Sequence, residues 1–150
     1  MSENILAFIP TDPSFVPDER DQSKARKLVA LFLPHADEIK TVVTNEIEFI
    51  SSGANFARVI CPYCDIEIDM NWWTEAMDKA YKTRFTNLQV NTPCCHQLTS
   101  LNHLKYDWAS GFARFVLRVR NPDGTELDSE EIRRLEMVLK TPLWKIWAHY

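Results

Sequence analysis

Residues 111–120 read Gly-Phe-Ala-Arg-Phe-Val-Leu-Arg-Val-Arg, and the fold is decided here. Ala113, Phe115, Leu117 and Val119 alternate with Arg114, Val116, Arg118 and Arg120, the period of two expected of a strand with one packed face and one largely polar face. Asn121, Pro122, Asp123 and Gly124 supply the residue types that end a strand in a turn. Asp128 followed by Glu131 has capping-box spacing, and Ile132, Leu135, Val138 and Leu139 give the buried stripe of a helix closed by Thr141 and Pro142. Leu143 to Tyr150 places Trp144, Ile146, Ala148 and Tyr150 on one side of a final strand. The C-terminal third is therefore β-α-β.

The N-terminal third repeats that order. Asn4 to Ile9 is apolar and closed by Pro10 and Pro13, which suits a short buried strand. Pro17 and Asp18 open a helix, Ala25, Leu28, Val29 and Phe32 recur along one side, and Pro34 stops it. Glu38 to Ile50 is rich in β-branched residues and interrupted at Thr44 and Asn45, so it predicts one bent strand or two short ones. Two β-α-β halves on one chain predict an α+β protein, a ferredoxin-like split βαβ sandwich with a zinc-ribbon-like insertion at about residues 54–108.

The insertion is less regular. Phe56 to Ile60 and Asn87 to Val90 are expected strands, each running into a cysteine pair, and Ser100 to Trp108 is expected to be a loop with one helical turn. Asp69 to Lys82 predicts a helix whose Trp73, Met77 and Tyr81, with Ala76 and Ala80, form an apolar stripe; core packing explains that spacing better than a ligand box.

A chain of 150 residues with 45% hydrophobic and 25% charged residues suits one globular domain over residues 1–150. The N-terminus has no basic region, and its apolar run from Ile5 to Ile9 is too short for a leader or a span. The expected compartment is the cytoplasm, with no membrane partner. In a reducing compartment four clustered cysteines point to metal or redox chemistry rather than to disulfides. The net charge of −4 is spread along the chain, so no basic arm exists for non-specific nucleic-acid binding.

Cys61-Pro-Tyr-Cys64 is a C-x2-C hook, and Thr92-Pro-Cys94-Cys95 gives a second pair. Two tight turns of this kind can present four thiolates, Cys61, Cys64, Cys94 and Cys95, to one structural Zn2+ held tetrahedrally. Adjacent cysteines must splay to share an ion, so His96 or His103 is an alternative to one of them. Asp65 and His96 follow the two pairs where zinc knuckles often carry glycine, and both belong to types that tolerate positive φ. Cys-Pro-Tyr-Cys is also a glutaredoxin-type dithiol, with Thr92-Pro93 as a candidate for that fold's proline. Against it, the residues after Cys64 alternate like a strand rather than opening a helix, and Asp65, Glu67 and Asp69 are expected to raise a nearby thiol pKa.

Cys61-Pro-Tyr-Cys64, Asp69-Met-Asn-Trp-Trp73, Thr92-Pro-Cys-Cys95, Ser100-Leu-Asn102, Tyr106-Asp-Trp108, Gly111-Phe-Ala-Arg-Phe115, Asn121-Pro122 and Trp147-Ala-His-Tyr150 resemble, across essentially the whole chain, a family of short bacterial proteins of unassigned function. Members are sometimes labelled sugar transporter ATPases. The residues contradict that label, because with Gly53, Gly111 and Gly124 as its only glycines the chain has no G-x4-G-K-[ST] loop. The resemblance implies a zinc knuckle and a bacterial origin, and no activity.

His35, His96, His103 and His149 are scattered and no serine sits in a nucleophile elbow, so no catalytic residue is expected. Arg114, Arg118 and Arg120 form a local cationic patch that could meet phosphates or an acidic partner, with Lys145 and Trp147 expected on a neighbouring strand. The expectation is a non-catalytic zinc protein that binds a protein partner, as an adaptor or an immunity-type protein capping a toxin. A nucleic-acid-binding zinc protein is the alternative, and a thiol oxidoreductase the third.

Overall fold

The paired halves place their strands in one four-stranded sheet, seen in a computed structural model that describes residues 3–123 and 126–150. Met1 and Ser2, and Gly124 of the expected turn, lie outside the described residues. The strands of this sheet are β1 (Asn4–Pro10), β2 (Glu38–Ile50), β8 (Gly111–Arg120) and β9 (Leu143–His149), in the order β2-β8-β1-β9 with every neighbour antiparallel. Between β2 and β8 come β3 (Arg58–Ile60), β4 (Glu67–Ile68), β5 (Gln89–Asn91), β6 (Leu98–Ser100) and β7 (Lys105–Asp107). The architecture is mixed α+β.

Helix α1 (Glu19–Phe32) starts where Asp18 accepts a hydrogen bond from the Asp21 backbone N–H, which satisfies a donor the first turn leaves free. Helix α3 (Ser129–Leu139) begins with the capping box of Asp128 and Glu131. Both helices cover one face of the sheet. Ala25, Val29 and Leu33 from the first segment and Leu135 and Leu139 from the second bury Leu6, Phe8, Phe115, Leu117 and Val119. A fully buried Leu or Phe of this kind contributes roughly 1.5–3 kcal/mol.

Ala113 departs from the expected alternation. It packs with Ile5, Ala7, Ile9, Val116, Ile146 and Ala148 on the opposite face, not with Phe115 and Leu117. The departure coincides with a bulge in β2: Val43 pairs with Phe115 and Glu48 with Ala113, so residues 44–47 stand against Arg114 alone. The bend predicted at Thr44 and Asn45 is this bulge. Beyond it Phe49 and Phe112 leave the sheet's own core and enter a second one.

That second core carries the cysteine segment. Helix α2 (Met70–Tyr81) is capped by Asp69 and turns Trp73, Ala76, Met77 and Ala80 inward, while Tyr81 of the predicted stripe is exposed. Phe49 is its hub, with ring centroids 5.1 Å from Phe112, 5.6 Å from Trp73 and 5.7 Å from Tyr106. Strands β4-β3-β7 form one small sheet and β5-β6 a hairpin. The expected loop at 100–108 is instead the end of β6, a 3-10 turn at Leu101–His103, and β7. At the junction, buried Asn102 accepts from the Phe112 N–H and donates to the Thr11 carbonyl, tying the turn to the sheet. Gly111 sits there for want of space, since a Cβ would stand 2.8 Å from Ile9 Cδ1.

Candidate metal centre

The two cysteine turns are built on one plan. After β3, the Asp65 N–H returns to the Cys61 carbonyl at 3.0 Å and the Cys61 N–H donates to the Ile66 carbonyl at 2.9 Å. After β5, the His96 N–H returns to the Thr92 carbonyl at 3.0 Å and the Thr92 N–H donates to the Gln97 carbonyl at 2.9 Å. Asp65 and His96 both take positive φ, 59° and 55°, as their residue types allow. Cys61-Pro-Tyr-Cys-Asp65 therefore superimposes in role on Thr92-Pro-Cys-Cys-His96.

This correspondence explains the adjacent cysteines. Cys95 stands where Cys64 stands, and Thr92 occupies the place of Cys61; both Cys61 and Thr92 are fully buried. Cys94, one position before Cys95, supplies the fourth sulfur that Thr92 cannot. The Thr92 hydroxyl instead lies 3.3 Å from Cys95 Sγ, where it can donate to a thiolate, and it accepts from the Gln97 N–H at 2.9 Å. Thr92 is the functional residue that the spacing of cysteines alone does not reveal. The signal is the parallel run of C-P-x-C-D and T-P-x-C-H.

The four Sγ atoms all lie within 4.8 Å of one another. Cys61 and Cys95 are 3.7 Å apart and Cys64 and Cys94 3.2 Å, and all four cysteines are free thiols. Four sulfurs about 2.3 Å from a shared zinc would stand about 3.8 Å apart, so the donor set fits a tetrahedral ion after a small adjustment of the second pair. Neither His96 nor His103 joins the group among the described residues. His103 instead meets the edge of Trp144, with ring centroids 5.9 Å apart.

Two of the thiols are shifted in opposite directions. Burial pushes the Cys61 thiol up, but the N–H groups of Cys64 and Tyr63, with hydrogen bonds from the Cys94 and Cys64 thiols, outweigh it and bring it down to about 6. Hydrogen bonding to Cys64, then burial, pushes Cys94 up to about 12. The Cys94 thiol thus holds its proton, and a bound dication would be needed to release it. The nearby carboxylates do not raise Cys61 as the sequence suggested. Asp65 is paired with Lys105 at 3.0 Å and Asp69 caps α2.

The arginines of β8 separate. Arg120 has Glu3, Asp37 and Glu38 within 3.6–3.9 Å. Arg114 donates from Nε to the Thr44 carbonyl at 3.0 Å. Arg118 has no hydrogen bond or ion pair among the described residues. Lys145 and Trp147 do not neighbour this patch: β1 lies between β8 and β9, Trp147 packs toward the helix-covered core, and both side chains hold Glu126 at 2.8 Å. No helix among the described residues is long and apolar enough to cross a membrane.

No protein-family model, curated protein or solved structure matches the chain.

Proposed function

We propose that the protein is a non-catalytic, zinc-stapled binding protein whose four thiolates hold one structural Zn2+. The observation that carries this reading is the convergence of four sulfurs within 4.8 Å on two turns with the same hydrogen-bond plan. Four sulfur ligands fill a tetrahedral shell and leave no open position for water or substrate. The thiol oxidoreductase alternative is disfavoured because Cys64 leads into a turn at Asp65 rather than into a helix.

The finer architecture we propose is the ferredoxin-like split βαβ sandwich over one domain of residues 1–150, with the zinc-ribbon-like insertion at about 54–108. The strand order β2-β8-β1-β9 and the two helices on one face support it. Membership of the bacterial family that the motifs resemble, and a cytoplasmic setting that keeps four thiols reduced, belong to the same proposal.

A protein partner is the reading for what is bound. Tyr63, Ile66 and Leu98 are 57%, 55% and 58% exposed beside the cysteine turns, and the Tyr63 hydroxyl donates to the Leu98 carbonyl, so the patch is held in shape by the site it adjoins. An immunity-type role fits a net charge of −4 opposite a basic toxin. A nucleic-acid partner is the alternative, and the acidic groups around Arg120 weigh against it.

Elemental analysis with thiol counting tests the metal: one zinc per chain, and thiols protected until a chelator is added, is the expected result. A metal-free protein that turns over a disulfide substrate would overturn it. For the partner, affinity capture from the source cells should recover a defined protein that Leu98→Asp with Ile66→Asp loses while zinc content stays at one. Capture of nucleic acid in its place, abolished by Arg118→Glu, would replace the protein reading.

A further inference from the structure

On the sheet face away from the helices, Ile5, Ala7, Ala113, Val116 and Ala148 form an apolar floor under a cavity of about 230 Å3. Arg114 and Arg118 line it as well. Two independent observations mark the Arg118 end as short of negative charge. First, Arg118 has no hydrogen-bond or ion-pair partner among the described residues, although its neighbour Arg120 has three carboxylates around it. Second, Lys40 of β2 stands directly opposite Arg118 in the antiparallel register. Like charges in that position destabilise a sheet unless something anionic lies between or beside them. Among the described residues the only ion pair of Lys40 is with Glu38, at 3.9 Å, and Glu38 is the same distance from Arg120.

We propose that this cavity binds a small aliphatic monocarboxylate, its carboxylate held by Arg118 of the lining with the positive charge of Lys40, opposite it in the register, in support, and its apolar chain laid along the floor. A guanidinium and a carboxylate can pair through two parallel hydrogen bonds, and the low-dielectric floor strengthens that pairing. The acid's direction is set by Glu48, which also lines the cavity but pairs with Ala113. That position lies five residues along β8 from Arg118, about 16 Å at roughly 3.3 Å per residue. Arg114, next to Ala113, is a second cation in the lining, but its Nε is already held by the Thr44 carbonyl at 3.0 Å and Glu48 lies at that end, so a carboxylate is drawn to the Arg118 end and the chain runs toward Ala113. The volume selects size: about 230 Å3 falls below the roughly 300–1,000 Å3 of ordinary small-molecule pockets, which suits a short acid and not a nucleotide. This inference does not depend on the metal or on the protein partner.

The test titrates the zinc-loaded full chain with octanoate, octanol and acetate, followed by amide chemical shifts and calorimetry. Octanoate should bind saturably and shift β1 and β8, with octanol and acetate each at least about tenfold weaker, as expected for losing a charge-assisted hydrogen bond or the buried chain. Arg118→Gln should weaken octanoate by about tenfold or more, and Lys40→Gln should weaken it less, since an exposed lysine interacts through a wetter path. Because both substitutions remove a member of a like-charge pair, neither should lower the thermal midpoint of the ligand-free protein. Equal binding of octanoate and octanol, or unchanged affinity in folded Arg118→Gln and Lys40→Gln, would overturn the proposal. So would the absence of octanoate binding, or acetate binding as well as octanoate.

Discussion

The sheet with its two helices and the cysteine segment are built differently, and the contrast suggests a task for the metal we propose. In the sheet, strands of seven to thirteen residues pair along their length and two helices bury a continuous apolar face. In the cysteine segment the strands are two or three residues long. Isolated hairpins of that size are marginal in water. Its core is real but borrows Phe49 and Phe112 from the sheet's strands. In the proposed reading the first region closes on hydrocarbon alone, whereas the second relies on the four sulfurs to fix β3 and β5 to each other.

The largest effect should come from removing the metal. Chelation, or Cys61→Ser, is expected to abolish amide-exchange protection in β3, β5 and β6 while Leu6 and Leu117 stay protected; apparent binding energies of about 10–16 kcal/mol in small zinc modules set the scale. Uniform loss of protection across both regions would break the comparison. Phe115→Ala should do the opposite, costing about 3–5 kcal/mol of global stability by denaturant unfolding and leaving one zinc per folded chain.

Next is the matched pair of turns. Cys94→Ala should weaken metal binding, and adding Thr92→Cys should restore a four-sulfur site, because Thr92 stands where Cys61 stands in the other turn. Competition with a metallochromic chelator measures both. Thr92→Val alone should cost about 2 kcal/mol, the worth of a hydrogen bond to a charged group. A double variant no better than Cys94→Ala would refute the correspondence.

Smaller again is the helix start: Asp128→Ala removes the capping box and should cost about 1 kcal/mol, read as a lower thermal midpoint with zinc content unchanged. The smallest effect belongs to Glu126, held below the usual carboxylate range first by Lys145 and then by the Trp147 indole. A depressed folded pKa means this contribution is present above the unfolded pKa and is lost as pH falls through the folded value. The group is exposed, so the contribution is below about 1 kcal/mol. Glu126→Gln should flatten the acid side of the stability profile slightly and leave pH 7 metal content untouched.

The sheet half was legible because its signals are long. Asp128 and Glu131, Asp18 and Pro34, and the alternation at 115–119 each constrain several residues, and propensity, capping and period agree. Ala113 was misplaced because strict alternation was carried through β8 past the point where its pairing with β2 is broken by the bulge at 44–47. Strands β6 and β7 were missed because three residues offer no period to detect. Lys145 and Trp147 were placed beside the arginines because sequence alone did not order β1 between β8 and β9. The cysteines could be counted but not understood: adjacency of Cys94 and Cys95 makes sense only when Thr92 is seen in the place of a ligand.

Zinc-edge X-ray absorption on the purified protein measures the site most directly. Four sulfur ligands at about 2.3 Å, with one zinc per chain and no nitrogen in the shell, is the predicted result. A histidine nitrogen in the shell, or a chain that folds fully without any metal, would contradict it.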